Sequence, residues 1–436
     1  MSQTKYAQYK IYKDSEVGWI GKVPEHWEYI KLSQSFSKIG SGTTPKSGVD
    51  IYYEKGTTNW INTGDLNDGI LESCKRKITK KALQDHVLNI YPVGSIIIAM
   101  YGATIGKVSI SMMEACTNQA CCVLYGSKTI DVTYMFYWFL SKREFIISLS
   151  YGGGQPNISQ DTIKSLRVLS PTLLEQTAIV IYLDTKTAQI DRKIELLSQK
   201  ATQYVKLKQS LINETVTHGL DKTVAMKDSG VEWIGNIPAH WEVQPIRKLL
   251  ENRVDKNAGN IEGEYLSLVA GIGVIPYAEK GNIGNKRPEN LEKCKMVYPG
   301  DFVLNSMNFG IGSFGISRYK GVCSSVYIVM RPKNADSGEF LYRIFQVKPF
   351  QLFMSSFGKG IMEIRMAIKW IDLKNIHIPY PPISEQQAIA NYLDEKTAQI
   401  DRIVTTLHAQ IDRLKELRKT LINDVVTGKI KVVKEG

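Results

Sequence analysis

An eleven-residue string in this chain returns 210 positions later with a single change. YLDTKTAQIDR (Tyr182 to Arg192) becomes YLDEKTAQIDR (Tyr392 to Arg402). The match continues upstream, where EQTAI (Glu175 to Ile179) pairs with EQQAI (Glu385 to Ile389). Downstream, SLINETVTHG (Ser210 to Gly219) pairs with TLINDVVTGK (Thr420 to Lys429). A second block opens each half: KDSEVGWIGKVPEHWE (Lys13 to Glu28) against KDSGVEWIGNIPAHWE (Lys227 to Glu242), offset by 214. Between the blocks the halves diverge almost completely. A period this long marks a duplicated domain-plus-helix module and not a solenoid unit. One frame carrying two unlike inserts suggests two different targets recognised in one geometry.

The 436 residues exceed what one core usually organises, so two or more domains are expected. Lys and Arg number 55 against 43 Asp and Glu, a formal charge of +12 that favours a polyanionic partner, nucleic acid first. The N-terminal MSQTKYAQYK has no apolar core, and the longest apolar stretch, Ser95 to Met100, is too short to span a bilayer; no membrane role is expected. Cys74, Cys116, Cys121, Cys122, Cys294 and Cys323 form no CxxC pair, which suits a reducing, cytoplasmic setting. Histidines at ligand spacing are missing near Cys116, Cys121 and Cys122, so no metal site is expected there.

From Pro171 to Thr217 no glycine or proline follows the first residue. Leu183, Ile190, Leu197, Tyr204 and Leu211 recur every seven residues, with Ile194 and Ala201 on the alternate seam. The second copy repeats this as Leu393, Ile400, Leu407, Leu414 and Leu421, with Val404 and Ile411. Such a seam predicts coiled-coil packing, and a pseudo-twofold between two similar modules makes the pair antiparallel. Ser384 or a neighbour suits the cap of the second helix, and Gly219 and Gly428 suit the left-handed residue that ends each one.

The inserts, 29–170 and 243–378, read as mixed α/β with many glycine turns. Tyr91 to Ile110 and Tyr298 to Ile316 both read as strand, glycine-rich loop, strand. An enzymatic reading of these loops fails: GATIGKV (Gly102 to Val108) is one residue short of a phosphate-binding loop and lacks the hydroxyl after its lysine. No methyltransferase, nuclease, zinc-protease or nucleophile-elbow signature is evident. His26 and His240, in matching PEHWE and PAHWE blocks, read as packing or hydrogen-bonding residues. The chain has the marks of a reader and not of a catalyst.

At this point the chain resembles a specificity subunit of a type I restriction–modification system over nearly its whole length. Four features carry the resemblance: the Trp-Glu opening, leading in the first half into SKIGSGTTP (Ser37 to Pro45); GGGQPNIS (Gly152 to Ser159); the proline lead PPISEQQAIANYLD (Pro381 to Asp394); and the doubled helix. The second half departs from the family pattern at RVDKNAG (Arg253 to Gly259) and IMEIRMAI (Ile361 to Ile368), which puts its DNA-facing loop in question. The resemblance implies an α+β architecture with internal duplication and pseudo-twofold symmetry. Target-recognition domains at 1–170 and 219–378 alternate with long antiparallel helices at 171–218 and 379–436, the last with a C-terminal tail. Each domain would read one half of an asymmetric bipartite site in double-stranded DNA, while the helices set the spacing and dock two modification (methyltransferase) subunits.

The resemblance further implies a non-catalytic chain without cofactors of its own. S-adenosylmethionine would belong to the modification subunits, and ATP with Mg to restriction subunits that translocate and cut. A stand-alone DNA-binding regulator and a fused restriction–methylation enzyme are the competing readings. For DNA contacts in the first domain the candidates are Thr43, Thr44, Lys46, Tyr101, Thr104, Lys107, Gln155, Asn157 and Ser159. In the second they are Lys256, Asn257, Asn308, Ser313, Lys359 and Arg365. Asn and Gln can pair with adenine edges, while Lys and Arg suit phosphate or guanine. Gln189, Asp191 and Arg192, with Gln399, Asp401 and Arg402, are candidates for partner docking because both copies keep them off the seam.

Overall fold

The computed structural model describes residues 8–15, 20–151, 156–282, 286–307, 312–356 and 368–432. The chain divides into two compact units, Met1–Leu197 with Ala409–Gly436, and Ser198–His408. Each unit therefore combines one globular domain with a stretch of both long helices, Leu173–His218 (46 residues) and Ile383–Val426 (44 residues). Among the described residues no helix is long and apolar enough to cross a membrane.

The first unit is built on a five-stranded sheet in the order Phe36–Ser41, Cys121–Ser127, Ile96–Ala99, Val108–Ser111, Ile70–Leu71. Pairing is antiparallel except for the last strand, which runs parallel to its neighbour. The run Ile96–Ala99 is apolar throughout because both of its faces are covered. Ile96 and Ile98 pack with Tyr134 and Trp138 of helix Val132–Ser141, while Ile97 and Ala99 pack with Ile61, Leu66 and Val123. Side chains alternate across a strand, so one sequence run serves two cores. A three-stranded sheet, Ala115–Thr117, Thr58–Ile61 and Lys77–Ile78, lies beyond the second of these cores.

The second unit repeats the plan with a four-stranded antiparallel sheet: Leu250–Arg253, Tyr327–Pro332, Phe302–Asn305, Phe314–Ile316. Phe302 and Leu304 face helix Gly338–Gln346, and Val303 faces the opposite cluster with Leu266 and Val329. The strand, loop, strand landmarks are antiparallel hairpins in both units, as their sequences suggested.

Leu183 and Leu393 are fully buried, Ile400, Leu407, Ile411 and Leu421 nearly so, and Ile190, Leu197, Tyr204 and Leu414 half so. Within the first unit Arg418 pairs with Asp191 at 3.0 Å, and the head of the first helix and the end of the second both meet Trp27. Within the second unit Lys208 pairs with Asp401 at 2.6 Å, and both helices reach Trp241. Each arrangement is antiparallel.

The helix heads are tied to the repeated opening blocks. Glu175 accepts from Trp27 Nε1 (3.3 Å) and Tyr9 (3.1 Å), lies 2.9 Å from His26 Nε2, and closes a capping box with Thr172. Glu385 accepts from Trp241 Nε1 at 3.0 Å and lies 2.9 Å from His240. Ser384 is not the cap: the helix already begins at Ile383, and the amides of Glu385 and Gln386 donate to the Pro382 carbonyl. Gly219 (φ +74°) and Gly428 (φ +73°) take the left-handed conformation; a Cβ on Gly428 would sit 2.4 Å from Pro24.

Burial works to raise the Glu175 carboxyl, but hydrogen bonds from His26, Trp27 and Thr172 outweigh it and hold it below the usual glutamate range. A carboxylate depressed in the folded state stabilises above its unfolded pKa and loses that contribution as pH falls through the folded value. Glu175→Gln should therefore destabilise the first unit by roughly 1–3 kcal/mol near neutral pH. The gap to wild type should narrow as pH falls below the ordinary glutamate range, as read by urea unfolding. A gap that stays constant into acid would contradict a charged acceptor.

Candidate nucleic-acid interface

Three segments converge at one end of the first unit's five-stranded sheet. The first is the turn at 42–46. A Cβ on Gly42 would fall 1.7 Å from the Thr117 carbonyl oxygen, so only glycine fits there. The turn is then pinned by Thr43 N to Thr117 O (3.0 Å), Trp60 Nε1 to Thr43 O (3.2 Å) and Tyr53 OH to Pro45 O (2.6 Å). Thr44 donates to the side chain of Gln119, leaving Thr43 and Lys46 exposed on a rigid base.

The second segment is the glycine-rich loop. Gly102 (φ +64°) and Gly106 (φ +77°) reverse the chain around one 3-10 turn, Gly102–Thr104. Thr104 spends its hydroxyl on the Tyr101 carbonyl at 3.0 Å, and Lys107 N donates to Thr104 O at 3.0 Å. The third segment docks directly on it: Gly102 N donates to Pro156 O (3.0 Å), and Asn157 bridges both Tyr101 and Tyr151. Met100 N donates to Ala120 O at 2.8 Å, which sets this pair of segments beside the Thr117–Gln119 stretch under the turn. Ser159 instead caps the helix Gln160–Ser165.

Two features here were missed in the sequence. Tyr151 (58% exposed) and Tyr101 (43% exposed) both pair through the backbone with Asn157. Lys75, Arg76, Lys77, Lys80 and Lys81 put five exposed cations into seven residues, a run plain in the sequence. It adjoins the turn, since Trp60 N donates to Arg76 O and Thr79 N to Tyr52 O. Only Lys81 is paired among the described residues, with Asp85 at 2.7 Å. Part of the run lies on the edge strand Lys77–Ile78, where lysine also discourages strand addition. Burial pushes the nearby thiols up, Cys116 to about 11 and Cys122 to about 12, away from the reactive thiolate.

In the second unit Lys256 is exposed, but Asn257 does not match the expectation of a DNA-facing residue. It is buried, its amide donating to Glu262 O (2.8 Å) and accepting from Glu262 N (2.9 Å), because an Asn side chain can close a loop on its own backbone. Ser313 is buried as well, next to strand Phe314–Ile316. Arg253 is held two-pronged by Asp301 (2.8 and 3.1 Å) and lies 4.6 Å from the Tyr298 ring. Gln155, Asn308, Lys359 and Arg365 lie outside the described residues.

Comparison with known proteins settles the family. The pattern described as "Type I restriction modification DNA specificity domain" matches residues 24–203 and 249–413. The chain belongs to the type I restriction–modification DNA specificity family. It is 25% identical to the type I restriction enzyme MjaVIII specificity subunit of Methanocaldococcus jannaschii, over 94% of both chains. It is 26% identical to the putative MjaX specificity subunit of the same organism, over 95% of this chain and 96% of that one. Among solved structures, a chain from a study of assembly and conformational transition of the type I R-M system superimposes with TM-score 0.69. At 17% identity it covers 94% of this chain and 99% of that one, a likeness of fold.

In this specificity-family chain, the repeated helix residues serve more than one end. Asp191 and Asp401 are not simply off the seam: each binds a cation of the facing helix, Arg418 and Lys208. Those cations are themselves equivalent positions 210 residues apart. Arg192 pairs with Glu195, and Gln399 donates to Glu395, both along their own helix. Gln189 and Arg402 are exposed.

If the first-unit surface tracks duplex DNA, Lys46→Ala and Lys107→Ala should each flatten the salt dependence of log affinity by up to about one unit. Neutralising Lys75, Arg76, Lys77 and Lys80 together should flatten it by about three to four units. Anisotropy titrations of the assembled complex across a salt series measure this. Unchanged slopes in all variants would place DNA on another face.

Proposed function

We propose that this chain is the DNA-reading subunit of a type I restriction–modification complex, each globular domain reading one half of an asymmetric, bipartite duplex site. The observation that carries the reading is the pairing of identical locks with unlike inserts. His26, Trp27 and Glu175 in one unit and His240, Trp241 and Glu385 in the other hold the same geometry. The loops they support differ: a Gly-Thr-Thr-Pro turn in the first, a loop closed by Asn257 in the second. Conserved supports with divergent loops suit two base sequences read in the same manner.

On this reading the first domain offers exposed Thr43, Lys46 and Tyr101, with Asn157 paired through the backbone to both tyrosines, while Lys107 and the 75–81 cations are placed for phosphate. The chain itself transfers no methyl group and cuts no bond. S-adenosylmethionine belongs to two modification subunits, and ATP with Mg to restriction subunits, working together in the cytoplasm. The long helices dock the modification subunits through positions present in both copies, among them exposed Gln189 with half-buried Gln399, and exposed Arg192 with Arg402.

Replacing residues 29–170 by the corresponding domain of another family member should change one half of the methylated site and leave the other half intact. Methylation mapping in cells carrying the chimera reads this, and loss of both half-specificities would sink the modular reading. Native mass measurement of the purified complex should give two modification subunits per specificity chain; a one-to-one assembly would refute equivalent docking surfaces.

A further inference from the structure

The glycine-rich loop of the first unit is gripped from below by one ion pair. Asp68 and Arg143 are joined through Arg143 Nη2, with both side chains about 30% exposed. Arg143 Nε donates to the Gly106 carbonyl at 3.0 Å, and the Asp68 carboxylate accepts from Val108 N at 3.1 Å. The two bonds fall on the residues either side of Lys107. A Cβ on Gly106 would come within 3.0 Å of Arg143 Cγ, so the arginine stem also fills the space against the loop. Asp68 adopts φ +60°, a left-handed conformation uncommon for a non-glycine residue, which is sustained here by the contacts its carboxylate makes.

The clamp faces a cleft of about 330 Å³ whose lining includes Glu144, Lys415, Arg418 and Lys419. Glu144 pairs with Lys419 and Arg418 with Asp191, so the neighbouring charges are largely satisfied and the clamp is a separate unit. At the equivalent position of the second domain, 206 residues on from Arg143 by the offset of the hairpin landmarks, stands Pro349, which has no guanidinium to offer.

We infer that Arg143, through Asp68, is a positioning residue that sets specificity for the first half-site only. It touches no base; it fixes the loop that presents Tyr101 and Lys107. Holding a reading group within a fraction of an ångström is what separates a matched from a mismatched base, because a poorly placed donor loses the cognate bond while keeping its non-specific attraction. The inference rests on the proposal that this loop faces DNA.

Three variants in the assembled complex test it: Arg143→Ala, Arg143→Lys, and Asp68→Gly, which removes the carboxylate while keeping the left-handed backbone comfortable. Arg143→Ala and Asp68→Gly should speed hydrogen exchange at the amides of Gly106 to Val108. They should also cut discrimination against single-base changes in the first half-site by about tenfold, the scale of one good base contact. Discrimination in the second half-site should not move, and Arg143→Lys should recover part of the loss, keeping the charge without the fork. Unchanged exchange would overturn the clamp. Faster exchange with discrimination intact at both half-sites would overturn the positioning role. Tyr101→Ala and Lys107→Ala then separate the two ideas, since DNA binding unaffected by either would fail the DNA-facing reading of the loop itself.

Discussion

Glu175 gathers hydrogen bonds from Tyr9, Trp27 and Thr172 and lies against His26, so the segment before the first strand, the opening block and the head of a long helix meet on one carboxylate. A buried carboxylate is tolerable only when its lone pairs are occupied, and here four partners occupy them. Trp27, fully buried, gives its indole N–H to that carboxylate while its ring lies against the turn after the end of the other helix at Gly428. One tryptophan thus fixes the start of one helix and the end of the other. Glu385, Trp241 and Gly219 do the same in the second unit. Everything that varies in this chain hangs from these two anchors.

The ion pairs Asp191–Arg418 and Asp401–Lys208 act differently. Their acids are exposed and their cations about 30% so, and pairs this open to water contribute about 0–1 kcal/mol. Their effect is on direction and register: an acid in the first half of each helix meets a cation in the last half of the other. A parallel pair, or one slipped by a turn, would set like charges together or leave all four unpaired.

Periodicity was the most legible part of the sequence. The heptad seam marked residues that are buried or half-buried, the glycines marked the helix ends, and IIIA read as a strand because burial on both faces leaves no polar alternation to confuse it. Local side-chain bookkeeping was less legible. Asn257 reads as an adenine contact, but its amide closes its own loop; Ser384 or a neighbour reads as a cap, but Ser384 lies inside the helix, which begins at Ile383. Asp191 and Asp401 stand one residue past a seam position, and nothing local tells which side of the helix they favour. The Asp68–Arg143 clamp joins residues 75 apart to a loop between them, a contact with no local signature. The cations at 75–81 are a run in the sequence itself, but only the fold brings them beside the Gly42–Lys46 turn.

The first unit's core includes Leu421, Ile422, Val425, Val426 and Ile430, packed with Trp27, Ile179 and Leu183. Those residues are the last of the described chain to be made, whereas the second unit, Ser198–His408, is contiguous. At about 5–20 residues per second, synthesis leaves the N-terminal domain waiting on the order of ten seconds or more for the segment that completes its hydrophobic cluster. The second unit lies on one unbroken stretch of chain, whereas the first closes only when Leu421 to Ile430 reach the cluster around Trp27. A stop codon a few residues before Leu421 would strip those side chains from the N-terminal domain and leave the stretch Ser198–His408 whole.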